Sequence, residues 1–468
     1  MADLLSILSQ AGASLGVHSA ATATANHNIE NVNTPGYSRQ RAQIGTAVPA
    51  DLVSGGYIGR GATLLGVTQA RDRYLEAQVP AMTASSARAT AEASALSSVA
   101  ALNPDGAAGL PTTLANFYAA VQNLSQNPSD PGLRQAAVGA AQSFAAGVSA
   151  TGQSIEAARS GLDADLANEV TQVNDMTAAF AELNTRIRLA QAQGGAPNDL
   201  LDQRQKLQDQ IISLTGAFPV PSGQTDISLA LAGGASLVNG GLASKLSAVP
   251  GAANGGHLEI RLTLPNSTAA TLVSNGALGG EMGGELAARD GAMKKAGADL
   301  DTFAFDVATA VNTAHAASYA TDGSTGRPLF EVPAAAAGTF RTFKVNAEIA
   351  ADPRLLGTAS SAGAGPGDGS GTLAILGTQS AAVSGGSTPA GALASLISTF
   401  GSSSARASAT AEHEVVLRDH LLELRDGFSG VSIDEELIEL TRSQRAFEAV
   451  AKVMTTADEM LDTLMNLK

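Results

Sequence analysis

Apolar residues near the start of the chain recur with the spacing of a helix. They follow alternating steps of four and three residues, which places them on one helical face. The row consists of Leu4, Leu8, Ala11, Leu15, His18, Thr22, Ala25 and Ile29. It stops at Asn33-Thr34-Pro35-Gly36. Pro35 disfavours helix in the residue before it, and Pro-Gly suits the centre of a type II turn. We therefore predict an amphipathic helix that ends in this turn.

The end of the chain has a similar pattern. One apolar row keeps a spacing of seven residues throughout, and a second row accompanies it. The first row is Ile433, Leu440, Phe447, Met454 and Leu461, and the second is Val450, Ala457 and Leu464. Ser432 and Glu435 have the spacing of a capping box, which marks a helix start. The last ~35 residues are therefore predicted to form one long helix.

Three further segments carry a helical apolar stripe. The first runs from Leu162 to Ala190 and is broken at Gly194-Gly195-Ala196-Pro197. The second spans 197–216, where Gly216 suits the position just after a helix end. A weaker one covers roughly 284–316. Short breaks between such helices predict antiparallel hairpins.

Two stretches in the middle of the chain have the texture of strands and turns. Between Pro219 and Gly280 the segments ISLALAGGASLVNGG and HLEIRLTL alternate with Gly, Asn and Ser clusters. From about Leu329 to Leu376 the best strand candidate is TFKVNAEI. Residues 359–390 are rich in Gly, Ser and Ala, which is typical of a loop.

These elements predict a multidomain α+β protein. Its long N- and C-terminal helical segments pair as a coiled coil around a central α-helical bundle domain and strand-rich inserted outer domains. The predicted spans are a terminal helical domain (1–60 with 420–468), a helical middle domain (61–218 with 281–328 and 391–419), a strand-rich insert (219–280) and a strand- and loop-rich insert (329–390).

The two terminal stripes need a partner. Burial of a Leu or Phe side chain contributes roughly 1.5–3 kcal/mol, and a lone helix cannot obtain that contribution. The stripes are expected to pair with each other or with copies in neighbouring subunits.

Composition narrows the function classes. Net charge is −15, which argues against nucleic-acid binding through phosphates because that needs clustered Lys and Arg. The absence of Cys excludes disulfides, thiolate zinc sites and Cys nucleophiles. The N-terminal residues do not read as a cleaved secretion signal, since Asp3 is the only early charge. No membrane span is expected either. Composition alone therefore favours a cytoplasmic protein, or one exported without signal cleavage.

The sequence offers weak candidates for catalysis or metal binding. His413-Glu414 begins like a zinc-binding HExxH helix, but Leu417 occupies the position of the second His. The segment GAGPGDGSG lacks the spacing of a dinucleotide loop, and TDGSTG at 321–326 lacks the acidic residues of a calcium loop. We expect no catalytic residue, no cofactor and no metal site.

Residues 28–40 read NIENVNTPGYSRQ. This segment resembles the motif near the N-terminus of the flagellar rod, hook and hook-associated proteins, from which Glu30 departs because a small residue is usual there. Residues 55–79, GGYIGRGATLLGVTQARDRYLEAQV, resemble the next block of the same family. The segment from GVSIDEEL to DTLMNL near the C-terminus resembles the family's shared terminal helix.

Three internal blocks are similar to the hook-associated members that form the junction of hook and filament. They are NPSDPGLRQAAVGAAQSFA at 127–145, PNDLLDQRQKL at 197–207, and the stretch that begins GGELAARDGAMKKAGADL. Ser38-Arg39-Gln40 after Tyr37 favours the same members. A hook or distal rod axial subunit is the alternative. A hypothesis from a different functional class is a wall-lytic or proteolytic enzyme carried on flagellar termini.

The resemblance implies a secreted structural subunit of the extracellular flagellum, exported through the flagellar type III channel. It implies that both termini are disordered in the free monomer and form a coiled coil lining the inner tube after assembly. The implied partners are further copies of the chain in a ring, the hook protein, a second junction protein, the filament proteins and an export chaperone on the C-terminal helix. Nucleic acid and membrane are not expected as partners.

We predict that one set of residues forms the assembly interface. It contains Leu4, Leu8, Leu15, Ile29, Asn31, Asn33, Pro35, Gly36, Tyr37, Ile433, Leu437, Leu440, Phe447, Val450, Met454, Leu461 and Leu464.

Overall fold

A computed structural model describes residues 2–48, 50–51, 57–99, 102, 109–222 and 226–466. The side chains of Leu4 and Leu464 lie outside the described part. The chain begins with helix α1, continues through two small antiparallel strand pairs, and enters helix α2. These elements are α1 (Ala2–Glu30), β1 (Gln40–Thr46), β2 (Ala50–Asp51), β3 (Tyr57–Ile58), β4 (Ala62–Gln69) and α2 (Arg73–Ser97). Strand β1 pairs with β4, and β2 pairs with β3.

Three helices form most of the body. They are α3 (Gly109–Gln126), α4 (Pro131–Ala192) and α5 (Asn198–Thr215). The side chain of Asp130 caps α4 by accepting hydrogen bonds from the amides of Gly132 and Leu133. Gly216 ends α5 in the left-handed conformation with φ 66°. The helices predicted over 162–190 and 197–216 are confirmed, and the first of them belongs to a helix of 62 residues.

The predicted strand-rich segment after α5 is confirmed. It contains β5 (Phe218–Ser222), β6 (Asp226–Ala230), β7 (Ser236–Asn239), β8 (Leu242–Ala243), β9 (Lys245–Pro250), β10 (Leu258–Thr263) and β11 (Ala270–Leu272). The first four strands form one antiparallel sheet, and the last three form a second sheet with β10 in the middle. Asn174 of α4 ties the second sheet to the body, because its side-chain amide exchanges two hydrogen bonds with the backbone of Leu246.

The remaining elements return the chain to the body and then to α1. They are α6 (Gly280–Ala287), a π-helical turn (Ala288–Met293), α7 (Lys294–Ala316), β12 (Phe330–Glu331), α8 (Thr339–Thr342), β13 (Lys344–Val345), α9 (Ala347–Ala351), α10 (Ser370–Gly377), α11 (Pro389–Ser429) and α12 (Ile433–Asn466). The long C-terminal helix is confirmed. The capping box at its start is not formed, since the carboxylate of Glu435 pairs with Arg39 instead.

Two apolar cores hold the described residues together. The larger core joins α2, α3, the first half of α4, α7 and α11, and aromatic rings lie at its centre. These rings belong to Phe117, Phe144, Phe303, Phe330 and Phe343. The smaller core joins the second half of α4 to α5, α6 and both sheets. Helix α4 therefore runs through both cores and sets their relative position.

The segment 329–390 differs from its prediction as a strand- and loop-rich outer insert. Two strands of two residues each and three short helices occupy it. TFKVNAEI supplies a two-residue strand and then a helix. Phe330, Phe340, Phe343 and Ile349 lie in the larger core. Their burial against α4 and α7 explains the difference, because tertiary packing overrides strand propensity in short segments.

The boundary of the terminal part also differs from the predicted one. Helix α11 continues without a break to Ser429, so the chain turns at 430–432 rather than near residue 420. The β1–β4 pair extends the N-terminal part to Gln69.

Candidate assembly site

Helices α1 and α12 pack against each other along their length. They run antiparallel, because Asn28 near the end of α1 contacts Glu436 near the start of α12. The buried residues of α1 are Ala11, Val17, Ala21, Ala25 and Asn28, and those of α12 are Glu436, Ser443 and Ala457. Most of these side chains are small, so the two backbones approach closely.

The observed seam agrees only in part with the predicted one. On α12 the buried row repeats every seven residues and includes Val450, which is half-buried, and Ala457. The predicted residues of α1 form two sets that are each spaced by seven. The set with Ala11 and Ala25 is buried at these two positions. In place of Thr22 and Ile29 from the other set, the structure buries the residue before each, Ala21 and Asn28.

Several of the larger apolar side chains of the two helices are exposed rather than buried in the seam. In α12 they include Ile433 and Leu437, each 47% exposed, Phe447, 39% exposed, and Met454, 38% exposed. Leu440 and Leu461 are half-buried, as are Leu8, Leu15 and Ile29 of α1. The paired helices therefore present an outer face of large apolar residues, which the single chain leaves uncovered.

The turn after α1 has the predicted conformation. The amide of Tyr37 donates to the carbonyl of Thr34 at 3.1 Å, and Gly36 has φ 81°. These are the marks of a type II turn with Pro35 and Gly36 at its centre. Asn31 closes the helix end by donating to the carbonyl of His27 at 2.9 Å. Asn33, Pro35 and Gly36 are exposed, and Tyr37 is half-buried.

Asn28 is the hub of this region. Its side chain is 1% exposed. The amide group donates to the carbonyl of Gln40 at 2.8 Å and to the Glu436 carboxylate at 2.9 Å. Its carbonyl oxygen accepts from the Tyr37 hydroxyl at 2.7 Å and from the Gln40 amide at 2.9 Å. One side chain thus joins α1, the turn, β1 and α12.

Arg39 adds an ionic link across the same joint. Its guanidinium pairs with the Glu436 carboxylate at 2.6 Å and with Glu435. Its amide donates to the carbonyl of Ser429 at 2.9 Å, so it also holds the end of α11. Because Glu436 is 2% exposed, its charge requires both the guanidinium and the Asn28 amide.

Helix α5 meets the joint from the other side. Asn198 donates to the Gln40 side chain at 3.0 Å and to the carbonyl of Val67 at 3.1 Å. Asp202 accepts from Gln69 at 2.8 Å and pairs with Arg71 at 3.1 Å. The β1–β4 pair is therefore clamped between the terminal helices and the body.

Burial raises the pKa of two groups here. Desolvation, with the nearby carboxylates of Asp202, Asp199 and Glu436, raises the pKa of Tyr37 far above its usual value. Its hydroxyl consequently stays protonated and able to donate to Asn28. Desolvation raises the pKa of Asp202, and Arg71 opposes that rise.

Two arginines from the internal blocks that resemble the hook-associated proteins join segments of the body through hydrogen bonds. Arg134 is 6% exposed and donates to the carbonyls of Pro128 and Leu356 and to the Thr358 hydroxyl, all within 2.8 Å. Arg204 donates to the Asn184 side chain at 3.0 Å. Desolvation lowers the pKa of Arg204 to about 10.

Sequence reasoning missed Asn28, Arg39, Gln40, Asn198 and Glu436 as parts of the joint. Tyr37 was predicted as an interface residue, but its contact with Asn28 was not. The available signal was the density of Asn, Gln and Arg in one short motif, since such side chains in a buried place must bond to one another. The role of the predicted interface residues in contacts between subunits stays a prediction.

The comparisons with known proteins agree on one family. Residues 96–330 match the model described as flagellar hook-associated protein FlgK helical domain. Residues 427–467 match the model of the flagellar basal body rod FlgEFG protein C-terminal. No described helix carries an apolar stretch of the length that a bilayer crossing needs.

Several relatives carry the name flagellar hook-associated protein 1. The one from Salmonella typhimurium is 30% identical, with an alignment that covers 70% of this chain and 59% of the relative. The Escherichia coli relative is 26% identical over 99% of this chain and its full length, and the Bacillus subtilis relative is 27% identical over 98% and 97%. A solved structure, the flagellar hook junction protein FlgK from Burkholderia pseudomallei, has the same fold, with a TM-score of 0.69, 17% identity, and coverage of 76% of this chain and all of that one.

Proposed function

Because the chain belongs to the flagellar hook-associated protein FlgK family, we propose that it is a structural subunit of the bacterial flagellum. We place it at the junction of hook and filament and assign it a non-enzymatic role in filament assembly. The name shared by its relatives supports this proposal, above all the Escherichia coli relative that it covers from end to end. The rod-type match lies only on the terminal segment, so it gives less support to a hook or rod subunit.

The observation that carries the proposal is the uncovered outer face of α12. Phe447 and Met454 are more than one-third exposed, although a long amphipathic helix is stable in water mainly through burial of its apolar residues. A face of this kind, repeated in identical subunits, is complementary to further copies arranged by one symmetry operation. This supports a ring of copies as the assembled form.

We propose that folding of the ends is coupled to assembly. In the free monomer the segments of α1 and α12 are disordered, and an export chaperone holds the C-terminal one. Ordering them costs about 1–2 kcal/mol of backbone entropy per residue, so many apolar contacts must form together. Assembly then occurs only on a preformed template, which is the tip of the hook.

The same proposal assigns a place to each part and to each partner. The terminal part, α1 and α12 with the β1–β4 pair, lines the inner tube. The helical body forms a second shell, and the strand-rich segment 218–272 faces outward. Neighbours are the hook protein below, and a second junction protein and filament proteins above. The chain reaches this extracellular position through the flagellar type III channel.

A truncation tests the proposal. Deletion of the last ten residues, 459–468, removes the apolar end of α12. The truncated chain is expected in the culture medium at wild-type amounts but absent from isolated hooks, as immunoblots of both fractions would show. Cells that still build filaments with this variant would contradict the proposal.

A matched pair of point variants tests the apolar contact without shortening the helix. Phe447→Ser removes an outer apolar side chain, and Glu448→Ser changes its exposed polar neighbour. We expect filament number to fall several-fold with the first variant and to stay unchanged with the second. Equal filament numbers in both would remove the outer face from the mechanism.

A further inference from the structure

Three carboxylates meet where α4 passes α6. They belong to Glu169 of α4 and to Glu281 and Glu285 of α6, and one oxygen of each lies within 4.8 Å of the other two. Asp165 stands one helical turn before Glu169 and adds a fourth negative charge, which acts on both Glu169 and Glu285. Four acidic side chains are thus gathered at one contact between helices.

Two of these carboxylates are buried without a partner. Glu169 is 7% exposed and Glu285 is 8% exposed. Each has an Oε2 atom that is closed to solvent and accepts no hydrogen bond from the described residues. Buried acceptors in folded proteins are normally satisfied, so these two oxygen atoms point to a missing ligand. Glu281 is exposed, which leaves an opening to solvent.

The charged neighbours compensate this cluster only in part, because the charge of Arg289 lowers the pKa of Glu285 but does not offset its rise. Arg289 follows on the same helical stretch, but it pairs with Asp290 at 2.7 Å and with Asp163 at 2.5 Å. Helix α2 packs on α6 at Gly283 and Gly284, where the Cδ atom of Arg88 and the backbone of Glu92 approach. Desolvation and the neighbouring acids raise the pKa of both Glu169 and Glu285 to about 8. The site therefore needs a proton or a cation.

We propose that Glu169, Glu281 and Glu285 bind a calcium ion. Carboxylate oxygens are ligands for hard cations. Ca²⁺ takes about six to eight oxygen ligands in a flexible geometry, whereas Mg²⁺ requires a near-ideal octahedron and is usually held by one or two carboxylates with several waters. Three carboxylates from two helices, with their oxygens within 4.8 Å of one another, therefore suit Ca²⁺. Water completes the coordination on the open side at Glu281.

The ion links two parts of the fold. Met282 and Leu286 on α6 belong to the smaller core, and so does Val170 beside Glu169. The turn of α6 that carries Glu285 also packs closely on α2, because a Cβ atom on Gly284 would lie 2.2 Å from the carbonyl oxygen of Arg88. Bound Ca²⁺ therefore fixes α6 to α4 beside the smaller core and stabilises that core.

Calorimetric titration of the full chain with calcium chloride at pH 8.5, after treatment with a chelator, tests the proposal. One site is expected in the wild type, together with a higher Tm in calcium. Glu169→Gln and Glu285→Gln are expected to weaken binding at least tenfold. Glu182→Gln, an exposed position of α4, is the matched control and keeps wild-type affinity. If a buried variant fails to fold, the exposed Glu281→Gln supplies the same comparison.

Two results would overturn the site. One is the absence of heat and of any calcium effect on Tm, and the other is equal affinity in wild type and Glu281→Gln. A shared proton in place of the ion gives the first result, with a Tm that falls as the pH rises from about 5 to about 8 whether or not calcium is present.

The pH dependence of calcium binding gives a second readout. Protons compete with the ion for the same oxygens, so affinity is expected to rise from pH 6 to pH 8.5 as the carboxyls near pKa 8 lose their protons. Affinity that is constant over this range would contradict binding by these carboxylates.

Discussion

Asn28 illustrates how much a single side chain contributes to the joint between the terminal helices and the body. From the sequence it is one polar residue near the end of an amphipathic helix, a position where solvent exposure is common. In the structure it is buried and makes four hydrogen bonds to three other segments. The predicted row placed Ile29 in the seam because the pattern weighs apolar character. The polar network reverses that order, since buried polar groups must be paired.

The stabilising effect of the buried hydrogen bonds of Arg134 can be tested by a substitution. Replacement by Met keeps the length of the side chain but removes the donors to the carbonyls of Pro128 and Leu356. One hydrogen bond from a charged group contributes about 1.5–3 kcal/mol, so the free energy of unfolding is expected to fall by at least that amount when several are lost. Urea unfolding measures it. Arg406→Met, at an exposed site, is the control, and an equal loss in both variants would count against the buried network.

The sequence pattern predicted the two terminal helices well, but it predicted the residues of their contact less well. Heptad spacing predicted both terminal helices and their mutual contact. It predicted the contact face only in part, because it also assigned the largest apolar residues to the seam. The structure buries the predicted Ala25 and Ala457 there, together with Ala21 and Ser443, which were not predicted. Small side chains allow close approach of two helices within one chain, which leaves the large ones available for other contacts.

Two glycines that follow helices allow a test of how tightly the helix ends are packed. Gly194 follows α4 with φ 82° and open space around it, and Gly216 follows α5 with φ 66°. A Cβ atom on Gly216 would lie 2.4 Å from the Cα atom of Gly279. Gly194→Ala is expected to cost about 1–2 kcal/mol, the cost of the left-handed conformation alone.

Gly216→Ala is expected to cost more than Gly194→Ala, because the backbone at Gly279 must also move. Thermal or urea unfolding of both variants compares the two positions. If the two variants lose equal stability, the close approach between the end of α5 and the start of α6 does not constrain the fold.

At the scale of the whole molecule, the sequence predicted the ends and the helical body better than the segment 329–390. Long periodic stretches identify helices without help from tertiary structure. In 329–390, Phe330, Phe340 and Phe343 are separated by nine residues and then by two, so they show no regular period. Their burial in the larger core depends on α4 and α7, which are distant in sequence. The sequence does not suggest the proposed calcium site for the same reason, since Glu169 and Glu285 are far apart along the chain.

The central claim, a structural subunit between hook and filament, is tested most directly by deleting the gene from a flagellated strain and viewing the cells by electron microscopy. The account predicts intact hooks without filaments, filament protein in the medium, and recovery of filaments when the full chain is supplied again. Loss of the hook itself would contradict it, and so would filaments of normal number and length.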